Sequence, residues 1–416
     1  ADVIHEAFAI ARSGRPGPVL IDIPKDIQKG ECDYRETPRP DAPAHANGAR
    51  AIHQAAELID SCQRPYIYVG GGVVNSSATE ELLAFADRID APIGSSMMGL
   101  SAVHHDHPRF LGMTGMHGKY AASQVLAEAD LLVAVGTRFS DRATGNKTEF
   151  IKGKKVLHID IDPSEIGKNI PAYVSLLGDV KTVLQKLLAE LKQHNRPEWS
   201  KTVQAIKNSP DNHLEMAPDQ LNPQTVIKAV RRHAQDDTVV CTDVGQHQMW
   251  TAQYYEFARP RTFITSGGLG TMGFGMGAAL GACLGAGGRK TVLFTSDGSF
   301  HMNMNELATA VSNQLPIVVV LLNNNALGMV RQWQTMFFGQ RYSNTSLARR
   351  TDFAKLAEAM GACGLKVSRL DQLEPALDRA FAETGPVLVE VTIDQDDKVL
   401  PMIPPNGTIR DIILKA

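Results

Sequence analysis

The chain has 416 residues, 43% of them hydrophobic and 21% charged, with a formal net charge of −3. This is the balance of an ordinary globular protein of two or three domains, with no basic face for nucleic acid and no apolar run long enough to span a bilayer. The five cysteines (Cys32, Cys62, Cys241, Cys283 and Cys363) are scattered, odd in number and form no CxxC pair, so a reducing compartment fits and a disulfide framework does not.

The sequence starts at Ala1 and runs at once into a helical pattern, ADVIHEAFAIARSG, then a GRPGP turn and an apolar strand, PVLIDIP. One helix and one strand cannot make a core. Residues 1–36 therefore read as the remnant of a preceding domain, so that a targeting segment cannot be judged. Residues 37–47, opening on TPRPDAP, read as an extended linker. From 48 to 194 helix and strand alternate: ARAIHQAAELIDSC, PYIYVGGG, ATEELLAFADRI, APIGSSM, AASQVLAEA, DLLVAVGTRF, KKVLHIDID and VKTVLQKLLAELKQH. Residues 195–221 are polar and read as a second linker. From 222 to 416 the buried strands are DTVVCTD, KTVLFTSD, IVVVLLNN and PVLVEVTI, separated by amphipathic or small-residue helices. The expected fold is α/β, with two doubly wound parallel sheets whose ligands sit beyond the carboxyl ends of the strands.

The sharpest chemical signal is TSDGSF followed by LLNNNALGMV. Asp297 follows one apolar strand and Asn324 the next, which places two hard oxygens at strand tips expected to be neighbours. Mg²⁺ takes oxygen ligands and is commonly held by a few protein groups plus phosphate oxygens. Alone, DG and NN are ordinary turn dipeptides. Their placement after two buried strands, one βα unit apart, is more specific.

This segment resembles the signature of thiamine-diphosphate enzymes: Gly-Asp-Gly, a spacer (here residues 299–322), then Asn-Asn. The resemblance implies that Asp297, Asn324 and the carbonyl of Ala326 bind the metal, with Ser296, Gly298 and Ser299 beside the diphosphate. Ser296 replaces the usual glycine, and serine resists positive φ where glycine does not. Within that superfamily the chain resembles the acetolactate synthases. DVGQHQMWTAQYY implies diphosphate contacts from Val244, Gly245, Gln246 and His247. ITSGGLGTMGFGMGAALG implies cofactor contacts from Gly270 and Met272, the latter as an apolar wedge that bends the cofactor. Here Met276-Gly277-Ala278-Ala279 departs from the family's Leu-Pro-Ala-Ala, and Gly277 is expected to loosen the helix start. ALGMVRQWQTMFFGQRYS implies that Met329, Val330 and Trp333 line the substrate pocket, Met329 also touching the cofactor, and that Trp333 favours 2-ketobutyrate. The same residues also suit a plain amphipathic helix, with Val330, Trp333 and Phe337 on one face.

The central unit is similar to the family's FAD-binding domain. The resemblance implies FAD contacts from Gly70, Gly71 and Gly72, from Ser96 and Met97, and from Gly115, Met116 and His117. It adds Gly136, Arg138, Arg142 and Ala143, then Asp160, Ile161 and Asp179, with Arg15 in GRPGP as one more. The flavin does no net redox work in this family. A lone GGG suits any tight turn, and no GxGxxG opens a helix after the first strand, so an NAD-type site is disfavoured. The cluster His104, His105, Asp106 and His107 reads as a solvated loop, not a metal site.

The implied activity is condensation of two 2-keto acids, first in the valine, leucine and isoleucine pathway. The family's catalytic glutamate lies in the pyrimidine-binding domain, outside this chain, so the chain alone is expected to turn over poorly. Implied partners are a second or further copies, with active sites at the subunit interface, and a regulatory small subunit, in a bacterial-type cytoplasm. Another keto-acid carboligase, of the glyoxylate type, and a non-catalytic cofactor-binding remnant remain as alternatives.

Overall fold

The computed structural model describes residues 2–33, 48–347 and 350–415, so the stretch expected to be the first linker (37–47) lies outside the described residues. Helix α1 (Asp2–Arg12) forms as its periodicity predicts. The expected strand PVLIDIP is extended but carries no ladder, and Leu20 is exposed. A strand draws its hydrogen bonds from a neighbour, and among the described residues no strand pairs with this one.

The first sheet contains β1 (Pro65–Val69), β2 (Ile93–Ser95), β3 (Phe110–Met113), β4 (Leu131–Val135), β5 (Lys155–Asp160) and β6 (Val174–Leu177), in the order β3-β2-β1-β4-β5-β6. Every pairing is parallel. PYIYV and LLVAV are buried at every position, as expected where helices cover both faces. Sequence reading missed β3 and β6. The first pairs with β2 across a register shift, and the second is partly exposed, so neither is a continuous apolar run.

The sheet reverses its winding between β1 and β4, and glycine makes the join possible. Gly70 N donates to Val135 O (3.0 Å) and Gly72 N to Gly136 O (2.9 Å). A Cβ on Gly70 would lie 2.1 Å from Gly136 O, and one on Gly72 would lie 2.6 Å from Gly136 Cα. Gly136 itself has φ +55°.

The second sheet contains β7 (Val239–Thr242), β8 (Phe263–Ile264), β9 (Thr291–Ser296), β10 (Ile317–Asn323), β11 (Cys363–Val367) and β12 (Val387–Thr392), in the order β11-β12-β10-β9-β7-β8. It too is parallel throughout. Strand β10 is buried along its whole length. The helix Phe274–Gly285 starts from Gly273 at φ +87° and runs unbroken through Gly277, so the glycine does not interrupt it.

Residues 195–221 hold more structure than their polarity suggests. Pro197–Lys207 is a helix, and Trp199 is buried with its indole Nε1 donating to Pro65 O (3.0 Å). The buried Arg196 guanidinium donates to the carbonyls of Ile59, Ile89 and Cys62. The stretch is thereby fastened to the first sheet. The two units also meet directly: Gln253 Nε2 donates to His117 O (2.9 Å), and after β12 the chain returns so that Ile403 N donates to Met116 O (2.8 Å). No helix among the described residues is long and apolar enough to cross a membrane.

Because two backbones touch at the β1–β4 junction, Gly70→Ala should destabilise the protein by about 2–3 kcal/mol, the scale of overpacking against backbone that cannot yield. Thermal melting would show a midpoint several degrees lower. An unchanged midpoint would mean the junction is loose.

Candidate cofactor site and active site

The chemical signal lies on three neighbouring strand tips. Strand β9 pairs with β7 on one side and β10 on the other, with Thr242 opposite Phe294 and Leu322 opposite Ser296. The loops after these strands begin at Asp243, Asp297 and Asn324. Serine at 296 costs no backbone strain, because its φ is −135°, which is ordinary extended geometry. Its side chain accepts from Ser299 N (3.4 Å) and caps the turn Asp297–Phe300. The expected penalty for losing glycine is therefore absent.

Asp297 is 2% exposed, Asn324 7% and Ala326 2%, so a carboxylate, an amide and a peptide carbonyl are all withdrawn from water. Both asparagines are held by their side chains. Asn323 Nδ2 donates to the buried Glu390 Oε1 (2.8 Å), while its Oδ1 accepts from Asn325 N (3.1 Å). Asn324 Oδ1 accepts from Ala326 N (3.1 Å), and its Nδ2 donates to Gln246 Oε1 (3.3 Å). Asn325 takes φ +53°, a conformation asparagine tolerates better than most residues.

Val244, Gly245, Gln246, His247, Met272, Ser296, Asn324, Ala326 and Met329 line one cleft with about 500 Å³ of empty space. Behind it, Ser299 Oγ donates to Val244 O (2.7 Å), so this hydroxyl holds the β7 loop. A Cβ on Gly298 would meet the tip of Leu327 at 3.1 Å and Met272 at 3.8 Å, so this turn packs closely against the side chains of the cleft wall. Gly270 is exposed at φ +64°, next to Val244. Burial pushes the His247 ring down to about 3, so the imidazole is uncharged near neutrality; its Nε2 is buried and finds no hydrogen-bond partner among the described residues. The carboxylate of Asp243 accepts from Val244 N (2.9 Å) and Gly273 N (2.8 Å), tying together the two loops that flank the cleft.

Helix Gly328–Phe337 begins just after the asparagines. Its Met329, Val330 and Trp333 line a wider opening with Arg142, Gln334, Phe338 and Arg341. The helical face expected from sequence is present, and Val330 on it is half exposed to this opening. Arg142, placed by resemblance among the FAD residues, extends its guanidinium over Trp333, 5.8 Å from the ring centroid.

The other FAD candidates gather along one edge of the first sheet. Gly70–Gly72 follow β1, Ser96 and Met97 follow β2, Gly115–His117 follow β3, Gly136 and the exposed Arg138 follow β4, and Asp160 with Ile161 ends β5. Two buried polar atoms here, Ser95 Oγ and His117 Nδ1, find no hydrogen-bond partner among the described residues. Burial holds His117 down at about 4. Ala143 packs beside Gly115, where an added Cβ would approach its Cα to 3.0 Å. Asp160 Oδ1 accepts from Asp162 N (2.9 Å), and Asp179 Oδ1 accepts from Thr182 N (3.0 Å) as the cap of helix Val180–Glu190. Arg15 lies near Asp162: after the Ser164 hydroxyl, its charge helps hold that carboxyl below the usual range. In the histidine loop, His105 Nε2 lies 2.9 Å from Asp106 and 3.3 Å from Glu256.

Sequence reading missed Asp243, Gly328, Gln332 and Glu390. Only Gly328 left a signal, a glycine at the start of an apolar helix. A Cβ there would sit 1.9 Å from Gln246 Oε1 and 2.7 Å from Asn324 Nδ2.

Comparison with known proteins agrees with this geometry. The family model described as "Thiamine pyrophosphate enzyme, central domain" matches residues 52–187, and "Thiamine pyrophosphate enzyme, C-terminal TPP binding domain" matches residues 243–391. The chain is 41% identical over 430 residues to the acetolactate synthase of Mycobacterium bovis, covering 100% of this chain and 69% of the relative. It is 42% identical over 417 residues to the acetolactate synthase isozyme 2 large subunit of Escherichia coli, covering 99% of this chain and 75% of the relative. It is 40% identical over 428 residues to a probable acetolactate synthase large subunit of Methanocaldococcus jannaschii, covering 99% and 72%. Two parallel α/β units, matched one by one to thiamine-enzyme domains and aligned end to end with these relatives, show that the chain belongs to the acetolactate synthase large-subunit family of thiamine-diphosphate enzymes.

Proposed function

We propose that the cleft on the β7, β9 and β10 tips holds the diphosphate of thiamine diphosphate through Mg²⁺, bound by Asp297, Asn324 and the Ala326 carbonyl. Acetolactate synthase decarboxylates pyruvate and condenses the two-carbon unit with a second pyruvate or with 2-ketobutyrate, the first common step of branched-chain amino acid biosynthesis. What supports the site assignment is that three hard-oxygen donors are buried just beyond the tips of two paired strands, with Asn324 and Ala326 lining the cleft. Mg²⁺ demands near-octahedral oxygen coordination and takes its remaining ligands from phosphate and water. The donor set fits that demand, and the unpartnered Nε2 of His247 fits a polar ligand beside it.

When bound, thiamine diphosphate supplies the nucleophilic carbon and the electron sink that decarboxylation needs. The chain's own groups bind and orient. Val244 and Gly245 present backbone, and His247 a polar side chain, where the diphosphate lies; the diphosphate contact expected of Gln246 is not available, because its Nε2 hydrogens go to Gln332 Oε1 and Asp397 O. Met272 offers an apolar support at the cleft wall. Arg142, which reaches over Trp333, offers a planar fork to the carboxylate of a keto acid while Met329, Val330 and Trp333 receive its alkyl end. FAD lies along the tips of the first sheet, where Ser95 and His117 leave polar atoms for it and Arg138 meets its diphosphate. Its role is structural. The relatives named "large subunit" support pairing with a smaller regulatory subunit, and self-association completes the active sites at subunit interfaces. The enzyme works in the cytoplasm.

Asp297→Ala should weaken Mg²⁺-dependent binding of thiamine diphosphate at least about 100-fold, since even outer-sphere changes at metal sites cost 10–100-fold. Isothermal calorimetry reads this, and unchanged binding would contradict the assignment. Trp333→Leu should lower the preference for 2-ketobutyrate over pyruvate as second substrate by about tenfold, within the 1–3 kcal/mol that one methylene provides. Competition between the two keto acids with product analysis checks it. An unchanged ratio would remove Trp333 from the pocket.

A further inference from the structure

The metal-site asparagine can face two ways, and only one is useful. An amide turned over would present Nδ2 to a cation. It would also set one N–H group against another, because Ala326 N points at the same atom. The geometry points to a residue outside the cofactor cleft, Gln332, as a positioning residue that reinforces this choice from the other side of the amide. The inference rests on the metal-site reading above.

Gln332 is 2% exposed, on the helix that carries Trp333. Its Oε1 accepts from Val399 N (2.9 Å) and its Nε2 donates to Val399 O (3.1 Å). A peptide N–H can only donate and a peptide carbonyl can only accept, so these two contacts leave the Gln332 amide one orientation. The same Oε1 accepts from Gln246 Nε2 (3.0 Å), which also donates to Asp397 O (2.8 Å). These two acceptors together turn Gln246 Nε2 toward themselves and leave its Oε1 to face Asn324 Nδ2 (3.3 Å). This leaves Asn324 Oδ1 on the opposite side, where Ala326 N meets it. The direction of the amide assigned to the metal is thereby braced from the backbone of Val399, in the segment after β12, through two buried glutamines. Gly328 provides the space for the Gln246–Asn324 contact, since any side chain there would occupy it.

The relay also ties three elements together: the helix of the substrate pocket, the segment after β12 and the β10 tip. Gln332 lines neither the cleft nor the wider opening. It acts only through Gln246 and Asn324.

The test is a Mg²⁺ titration of the full chain at saturating thiamine diphosphate, read by calorimetry, with melting curves as the folding control. Gln332→Met fills the same space but offers no acceptor to Gln246. It should raise the half-saturating Mg²⁺ concentration about tenfold, the worth of one buried hydrogen bond. Gln332→Glu, kept protonated by burial, retains the acceptor contacts and donates its hydroxyl to Val399 O, and should stay within about threefold of the parent on the same scale. In an Asn324→Asp background, where both oxygens are equivalent, Gln332→Met should add less than about twofold, because coupled residues are non-additive. An equal effect of Gln332→Met in both backgrounds, or none in either, overturns the relay. So does a tenfold loss in Gln332→Glu with native melting, which also decides the matter if the methionine variant does not fold. Asp297→Ala separates the two readings. If it leaves Mg²⁺ binding intact, the metal site and the relay both fall; if it abolishes binding while Gln332→Met changes nothing, only the relay falls.

Discussion

The structure depends on one constraint: oxygen donors from separate parts of the chain must be presented together, out of water, in fixed orientation. Parallel β-sheets meet that need. Strand tips on one edge lie close together, and the loops leaving them share a crevice. Here β9 between β7 and β10 gives three loops in a row. The buried positions of Asp297 and Asn324 follow from strands that are buried along nearly their whole length. The cost of burying such polar groups is met by hydrogen bonds, with each asparagine amide held on both sides.

The two sheets use their edges differently. In the first, glycines let the β1 and β4 loops touch backbone to backbone. In the second, side chains such as those of Gln246, His247, Met272 and Asn324 line a cleft at the strand tips. Between them, Arg142 from the first unit reaches Trp333 of the second, so the opening that both line is shared. The return of residues 401–413 onto Met116 closes the same junction.

Much of this was legible in the sequence, for a physical reason. Runs such as IVVVLLNN and TVLFTSD announce buried parallel strands, and the polar residue that ends each run is where chemistry must sit. The cleft residues 244–247 were found through resemblance, which long-range geometry then placed beside Asn324. Strands β3, β6, β8 and β11 were not legible, because they are short, partly exposed or hold few apolar residues, and their neighbours decide their state. The helix at Pro197–Lys207 was hidden by its polar composition, with Trp199 its only buried residue. PVLIDIP was over-read, since apolar content alone does not supply a pairing partner. Glu390 and Gln332 were invisible for a different reason. Each is a single polar residue within an otherwise apolar or amphipathic element, and only the folded chain shows what it holds.

The most direct measurement of the central claim is a crystal of the chain grown with Mn²⁺ in place of Mg²⁺ and with thiamine diphosphate, located by anomalous scattering. The account predicts one strong peak about 2.1 Å from an Asp297 carboxylate oxygen, Asn324 Oδ1 and Ala326 O, the distance hard octahedral cations adopt. A peak elsewhere, or a diphosphate bound with no ion between it and Asp297, would contradict it.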